Sequence, residues 1–192
     1  MSARVVIACG GTGGHLFPGI AVAECLLDAG GDPLLIISEK EIDAIAIRNY
    51  KHLEYVSLPS IGMPKIYSPK MLSFVFRYIK SYFFCKKLIK DFGADAVLGM
   101  GGFTSLPALM AGKKMRVRTF IHESNAYPGK SNRVASRWAD IVLLGLESCR
   151  QHFPTKNVEV VGTPLRGVMR EPYDRNQAIE HFNLSDEKKT LL

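Results

Sequence analysis

Seven short apolar runs recur along the chain, at 4–9, 33–38, 53–58, 96–100, 118–123, 141–144 and 158–161. Each is too short for a helix and most are rich in Val, Ile and Leu, the pattern of strands buried on both faces. Between them lie stretches with helical spacing, at 18–29, 41–49, 71–92, 105–111, 130–138 and 147–153. Strands alternating with helices predict a Rossmann-like, doubly wound parallel α/β sheet. Such a sheet binds ligands outside the carboxyl ends of its strands.

The unusual residues collect at those ends. The first run leads into Gly10-Gly11-Thr12-Gly13-Gly14-His15, where four glycines in six residues let the backbone approach a ligand closely. The helix that follows aims its free N–H groups and positive dipole end at the same point, which suits a phosphate or diphosphate. The loop lacks the third glycine of the dinucleotide fingerprint, since Leu16 stands there, and it lacks the Gly-Lys-Ser/Thr of a Walker loop. A second glycine loop, Gly99-Met100-Gly101-Gly102-Phe103-Thr104-Ser105, ends the fourth run. His122-Glu123-Ser124-Asn125 ends the fifth, and Gly162-Thr163-Pro164-Leu165-Arg166 ends the last.

Charge changes the picture in one place. Lys+Arg 25 against Asp+Glu 18 gives a net +7, and residues 55–90 hold seven basic residues and no acidic one. The rest of the chain therefore balances, 18 against 18. Within this segment Met71, Phe74, Val75, Tyr78, Tyr82, Ile89 and Phe92 fall on one arc of roughly 100°, the stripe a helix buries. On the opposite arc Leu72, Phe76, Ile79, Phe83 and Phe84 interleave with Arg77, Lys80, Lys86 and Lys87. An apolar face that also carries cations describes an interfacial helix on an anionic membrane surface. The charges interrupt every run long enough to span a bilayer. Nucleic acid competes as a partner for a basic aromatic face, but stacking on bases needs only rings, and aliphatic residues stand here too. A protein interface is a third reading.

Cys9, Cys25, Cys85 and Cys149 show neither Cys-x-x-Cys spacing nor a disulfide framework, and no His, Cys, Asp or Glu spacing resembles a metal site. A reduced cytosolic setting without a secretory leader is the expectation. Among the loop residues, His15 could take a proton from a hydroxyl nucleophile or simply be bonded locally. Glu123 could orient His15, bind a sugar hydroxyl or serve as a helix-start charge, and Asn125 could contact a ligand or close an Asx turn. Arg166 could meet a diphosphate or be a solvated linker residue, whereas His122, inside an apolar strand, reads as a satisfied core histidine.

The four strand-end motifs, taken in order and with Leu16-Phe17-Pro18-Gly19 continuing the first, resemble those of the MurG family of peptidoglycan glycosyltransferases. The resemblance runs to about residue 166 and implies the N-terminal domain of a GT-B enzyme that moves N-acetylglucosamine from UDP-N-acetylglucosamine to lipid I, forming lipid II. By motif match, Thr12, Gly13, Gly14, Asn125 and Arg166 would reach the donor. His15 would be the base that deprotonates the acceptor 4-hydroxyl in an inverting displacement, and Gly101, Gly102, Phe103, Thr104 and Glu123 would hold the acceptor. The membrane patch would comprise Leu72, Phe76, Arg77, Ile79, Lys80, Phe83, Phe84 and Lys87, at the cytoplasmic face of the bacterial inner membrane. The family implies no metal or other cofactor. Phe103 and Ser124 stand where tyrosine and glutamine are common in it, so the hydrogen bonds of the family's side chains at those two positions are not carried over.

The resemblance divides the chain into an acceptor- and membrane-binding domain over 1–166, a linker over 167–188 and, at 189–192, the start of a donor domain that is otherwise missing. On that reading this chain is a fragment or one subunit of a split enzyme, poorly active alone. A nucleotide-binding Rossmann oxidoreductase and a non-catalytic membrane-docking subunit are the alternatives.

Overall fold

The computed structural model describes residues 2–59, 64, 67–153, 157–169, 174–185 and 188–189. Seven strands, β1 (Arg4–Ala8), β2 (Asp32–Ser38), β3 (Glu54–Leu58), β4 (Ala96–Gly99), β5 (Arg118–Glu123), β6 (Ile141–Leu144) and β7 (Val158–Val160), form one sheet in the order β3-β2-β1-β4-β5-β6-β7. Every pairing is parallel, so the doubly wound reading of the pattern holds. The strand order reverses between β1 and β4, which pair directly, with Ala8 opposite Gly99. The two glycine loops therefore leave adjacent strand ends at the switch point, where such sheets take ligands.

Alternation along the strands sends side chains to two cores. Val6 and Ala8 face one core with Val97, Ile121, Val142 and Leu144, covered by α3 (Lys70–Phe92), α4 (Gly102–Lys114) and α5 (Lys130–Ala135). Ile7 and Cys9 face the other with Leu35, Ile37, Leu98 and Met100, covered by α1 (Gly13–Asp28) and by Ile47 of α2 (Glu41–Ile47). On the first side α3 packs on α4 and α4 on α5, so the three helices form one layer in that order.

Several elements differ from the pattern. The first and fourth helices start inside their glycine loops, at Gly13 and Gly102 rather than at 18 and 105, and each carries a proline at its sixth position, Pro18 and Pro107. A proline there removes one bond near the helix start, and burial of Leu16, Pro18 and Ile20, and of Leu106, Pro107 and Leu109, offsets that loss. The fifth helix ends at Ala135 and tightens into turns through Ala139, and the stretch near 150 is a 3-10 turn, Glu147–His152.

On α3 the buried stripe is rotated slightly from the expected one. Val75 is 44% exposed, while Ser81 and Cys85 join Ile89 in the core. Phe74 and Tyr78 still face inward, Phe74 edge-on to Phe103 and Tyr78 with its hydroxyl 3.7 Å from the Met110 sulfur. Leu72 (82%), Phe76 (71%), Ile79, Phe83 and Phe84 are exposed, with Arg77, Lys80, Lys86 and Lys87 among them. Among the described residues no helix is long and apolar enough to cross a membrane. After β7 the chain holds a 3-10 turn at Gly167–Met169 and a short helix, α6 (Arg175–His181), N-capped by Asp174. The strand expected from 189 lies, but for Lys189, outside the described residues.

Candidate functional site

The first loop is shaped by contacts on which nothing in its own sequence reports. A Cβ on Gly10 would fall 2.1 Å from the Ser38 amide nitrogen, so only glycine lets β1 leave the sheet this close to β2. Gly11 then takes φ +114°. Its N–H donates to Asp43 Oδ2 at 2.7 Å, and Lys40 Nζ donates to its carbonyl at 2.8 Å. The same Asp43 oxygen accepts from the Ser38 amide and hydroxyl, at 3.0 and 2.6 Å, and the Asp43 side chain is wholly buried. The carboxylate of Asp43 thus fixes one peptide of the loop to the end of β2, and Lys40 holds the other side of that residue.

Thr12 follows in extended conformation as the N-cap of α1, yet its hydroxyl makes no cap bond. It lies instead 3.0 Å from His15 Nδ1. No acidic residue stands in the first turn of α1 or of α4, so both helix starts keep their positive character. Gly101 (φ +113°) and Gly102 (φ +72°) carry the second loop over the His15 ring. A Cβ on Gly101 would lie 2.6 Å from Nε2, and one on Gly102 would lie 3.2 Å from the Gly10 carbonyl. Thr104, buried, approaches the Gly11 side of the first loop. His15 is therefore packed between two glycine loops, each opening a helix. Burial pushes its pKa down, against the upward pull of the Glu123 and Asp43 carboxylates, and the ring is neutral near pH 7.

The other strand ends behave differently. Glu123 is 2% exposed and both oxygens are taken. Oε1 accepts from the Asn125 amide and side chain at 3.0 and 2.8 Å; Oε2 accepts from the Gly129 amide and Asn132 Nδ2 at 2.9 and 3.0 Å. In this structure it anchors the 124–129 loop through those four donors. Asn125 is exposed with its amide nitrogen committed to Glu123. His122 is the satisfied core histidine of the sequence reading, with Nε2 3.0 Å from the Gly162 carbonyl and Nδ1 3.3 Å from Ser124 Oγ. Burial lowers its pKa. Arg166 is turned onto the first helix, its guanidinium 4.3 Å from the Phe17 ring centroid and its Nη1 donating to the Tyr50 hydroxyl at 3.2 Å. The Phe103 ring is directed to Phe74 rather than into the loop.

The structure thus joins Thr12, Gly13, Gly14, His15, Gly101, Gly102 and Thr104 at one point, with Glu123 sealed beside it and Arg166 held on α1. Asp43, Lys40 and Asn132 were missed from sequence. Asp43 could have been found, as an acidic residue near the start of a helix that follows the strand neighbouring the loop. Asn132 carried no signal beyond its polarity. Among the described residues no three His, Cys, Asp or Glu side chains gather where a metal could bind.

Two helix starts free of acidic residues thus meet at His15. The model of the glycosyltransferase family 28 N-terminal domain matches residues 5–144, from β1 through β6. This chain belongs to glycosyltransferase family 28. The family-28 chain is 39% identical over 170 residues to the UDP-N-acetylglucosamine--N-acetylmuramyl-(pentapeptide) pyrophosphoryl-undecaprenol N-acetylglucosamine transferase of Geotalea daltonii, covering 85% of this chain and 45% of that protein. The protein of the same name from Trichlorobacter lovleyi is 41% identical over 175 residues, covering 88% and 44%. The crystal structure of Acinetobacter baumannii MurG superposes with a TM-score of 0.72 at 26% identity, over 90% of this chain and 50% of that one. The resemblance to MurG drawn from the four motifs holds, and the fold is that of a GT-B N-terminal domain. The chain spans a little under half the length of the curated relatives it matches.

Proposed function

We propose that this chain is the acceptor-binding half of an inverting hexosyltransferase that moves N-acetylglucosamine from UDP-N-acetylglucosamine to the 4-hydroxyl of the N-acetylmuramoyl group of lipid I, forming lipid II. The observation that carries the reading is His15, neutral and packed between two helix-opening glycine loops. With Nδ1–H donated to Thr12 Oγ1, Nε2 holds a lone pair and accepts the proton of the attacking hydroxyl. The new bond forms at the anomeric carbon, the bond from that carbon to the diphosphate oxygen breaks, and UDP leaves with the electron pair. The α4 start, with Gly101, Gly102 and Thr104, offers N–H groups to the acceptor diphosphate. Thr12, Gly13, Gly14 and Asn125 face the donor from this side, and Arg166 reaches it by leaving Phe17 and Tyr50. The remaining donor contacts belong to a C-terminal domain beyond the linker over 167–188.

The exposed face of α3 seats the domain on the cytoplasmic side of the cell membrane as a peripheral protein. Each cation near an anionic surface adds about 1 kcal/mol, so Arg77, Lys80, Lys86 and Lys87 together with several apolar side chains suffice for reversible attachment. The test joins this chain to the C-terminal half of a relative and follows transfer of labelled N-acetylglucosamine to a lipid I analogue. Transfer that falls by about 100-fold or more in His15→Ala supports the assignment, in line with the usual contribution of a general base. Transfer that survives His15→Ala refutes it and favours a membrane-docking role for this half.

A further inference from the structure

We propose that Phe17 and Tyr50 form a dock that holds Arg166 one aromatic ring away from the first glycine loop, so that an incoming diphosphate must draw the guanidinium off the dock and binds less tightly as a result. Both are positioning residues for donor binding. The inference rests on the reading of Arg166 and the first loop as contacts of the donor diphosphate.

Tyr50 follows α2 and is 8% exposed, with its ring in the core that α1 covers. Its hydroxyl accepts from Arg166 Nη1 at 3.2 Å. The guanidinium carbon lies 4.3 Å from the Phe17 ring centroid, well inside the range of a cation–π contact. Nη2 is 3.7 Å from the Met169 sulfur, because the turn Gly167–Met169 closes with the Met169 amide donating to the Arg166 carbonyl at 2.9 Å. A ring face, a phenol and a thioether are all uncharged. Among the described residues no carboxylate forms an ion pair with Arg166. Each contact of the dock is therefore weaker than the charge-assisted, bidentate bonds that a guanidinium makes to phosphate oxygens.

Phe17 itself joins the dock to the loop. A Cβ on Gly13 would lie 3.3 Å from Phe17 Cε2 and 3.5 Å from Cδ2, so the ring rests against the first residue of α1. The N–H of that residue is one of those that open the helix. Arg166 is thus stored next to the place where a diphosphate would meet the helix start. A donor that needs the released guanidinium sees its affinity reduced by the fraction of chains in which the guanidinium is free. Loosening the dock raises that fraction. A tether that only fastens the 162–169 segment predicts the opposite sign, since its loss would leave anion affinity equal or lower.

The experiment follows the Arg166 Nε–H signal of this chain by NMR during titration with inorganic pyrophosphate. In the free chain the signal should carry the ring-current shift of Phe17, and Phe17→Leu should remove it. Pyrophosphate should move the signal saturably to its unstacked position. Tyr50→Phe, which keeps the buried ring and removes one hydrogen bond, should bind pyrophosphate about fivefold more tightly. In an Arg166→Gln background the same substitution should change affinity by no more than about twofold, because it acts only through Arg166. Four outcomes overturn the dock and leave the anion site standing: a free-chain signal that Phe17→Leu does not move, a stacked signal at pyrophosphate saturation, equal or weaker binding by Tyr50→Phe, or a Tyr50 effect that persists without Arg166. Absence of saturable binding in every chain overturns the dock together with the phosphate reading of the loop. Urea melts of each variant check the fold.

Discussion

Gly101→Ala tests the packing of His15 directly. Gly101 has φ 113° and ψ −175°, a backbone region essentially reserved for glycine, and an L-residue there costs about 1–3 kcal/mol. The added methyl would also sit 2.6 Å from His15 Nε2 and 2.7 Å from Cδ2, so the imidazole must leave its place. Overpacking of that kind costs about 1–3 kcal/mol more. In a His15→Ala background the second cost disappears and the first remains. A double-mutant cycle on the two positions should therefore give a coupling of about 1–3 kcal/mol, with Gly101→Ala milder when His15 is absent. Urea unfolding followed by far-ultraviolet circular dichroism measures all four chains, and equal m-values confirm that the same transition is compared. For a chain of this size each kcal/mol corresponds to about 2–4 °C in Tm. Gly10→Ala is the control, because its methyl would strike the backbone of Ile37 and Ser38 and removal of His15 cannot relieve it. If Gly101→Ala costs the same in both backgrounds, within about 0.5 kcal/mol, His15 does not lie against Gly101 and the proposed geometry of the base is wrong.

The pH dependence of stability has a definite sign. His15 and His122 both have depressed pKa values, so the unfolded chain binds protons near the ordinary histidine range that the folded chain refuses. Stability should fall as pH drops below about 6.5 and recover above it, and His15→Gln should flatten that slope in urea melts between pH 5 and 7.5. Asp43→Asn removes a carboxylate that pulls the His15 pKa upward, so the His15 ring signal should titrate at lower pH by NMR than in the parent chain; an unchanged or higher value would contradict the placement. Glu123→Gln puts an amide nitrogen against donors from Gly129, Asn132 or Asn125, and should cost about 3 kcal/mol in urea unfolding, whereas an exposed ligand-binding carboxylate would lose almost nothing. Phe76→Ser/Phe83→Ser should leave Tm within a degree or two, since both rings are exposed, and weaken vesicle binding by about tenfold per ring, measured by co-sedimentation.

The sequence alone determined the sheet, its parallel sense and the strand ends that carry the glycine loops. These follow from local physics: a strand buried on both faces must be apolar throughout, and a backbone that turns with positive φ under a neighbouring chain must be glycine. Gly11, Gly101 and Gly102 could be read for that reason, as could the two faces of the helix over 70–92, to within the rotation that exposes Val75 and buries Cys85. What the tertiary structure decided lies in partners far apart along the chain. Asp43 meets Gly11 because β2 lies beside β1, and Arg166 meets Tyr50 across 116 residues because the segment after β7 returns over α1. Glu123 is a buried anchor of the 124–129 loop because Asn132 and the Gly129 amide reach its second oxygen. A carboxylate, an amide or a guanidinium has the same spelling whether it faces water, a ligand or another strand end, and only the order in which the strands pack decides which of these it meets.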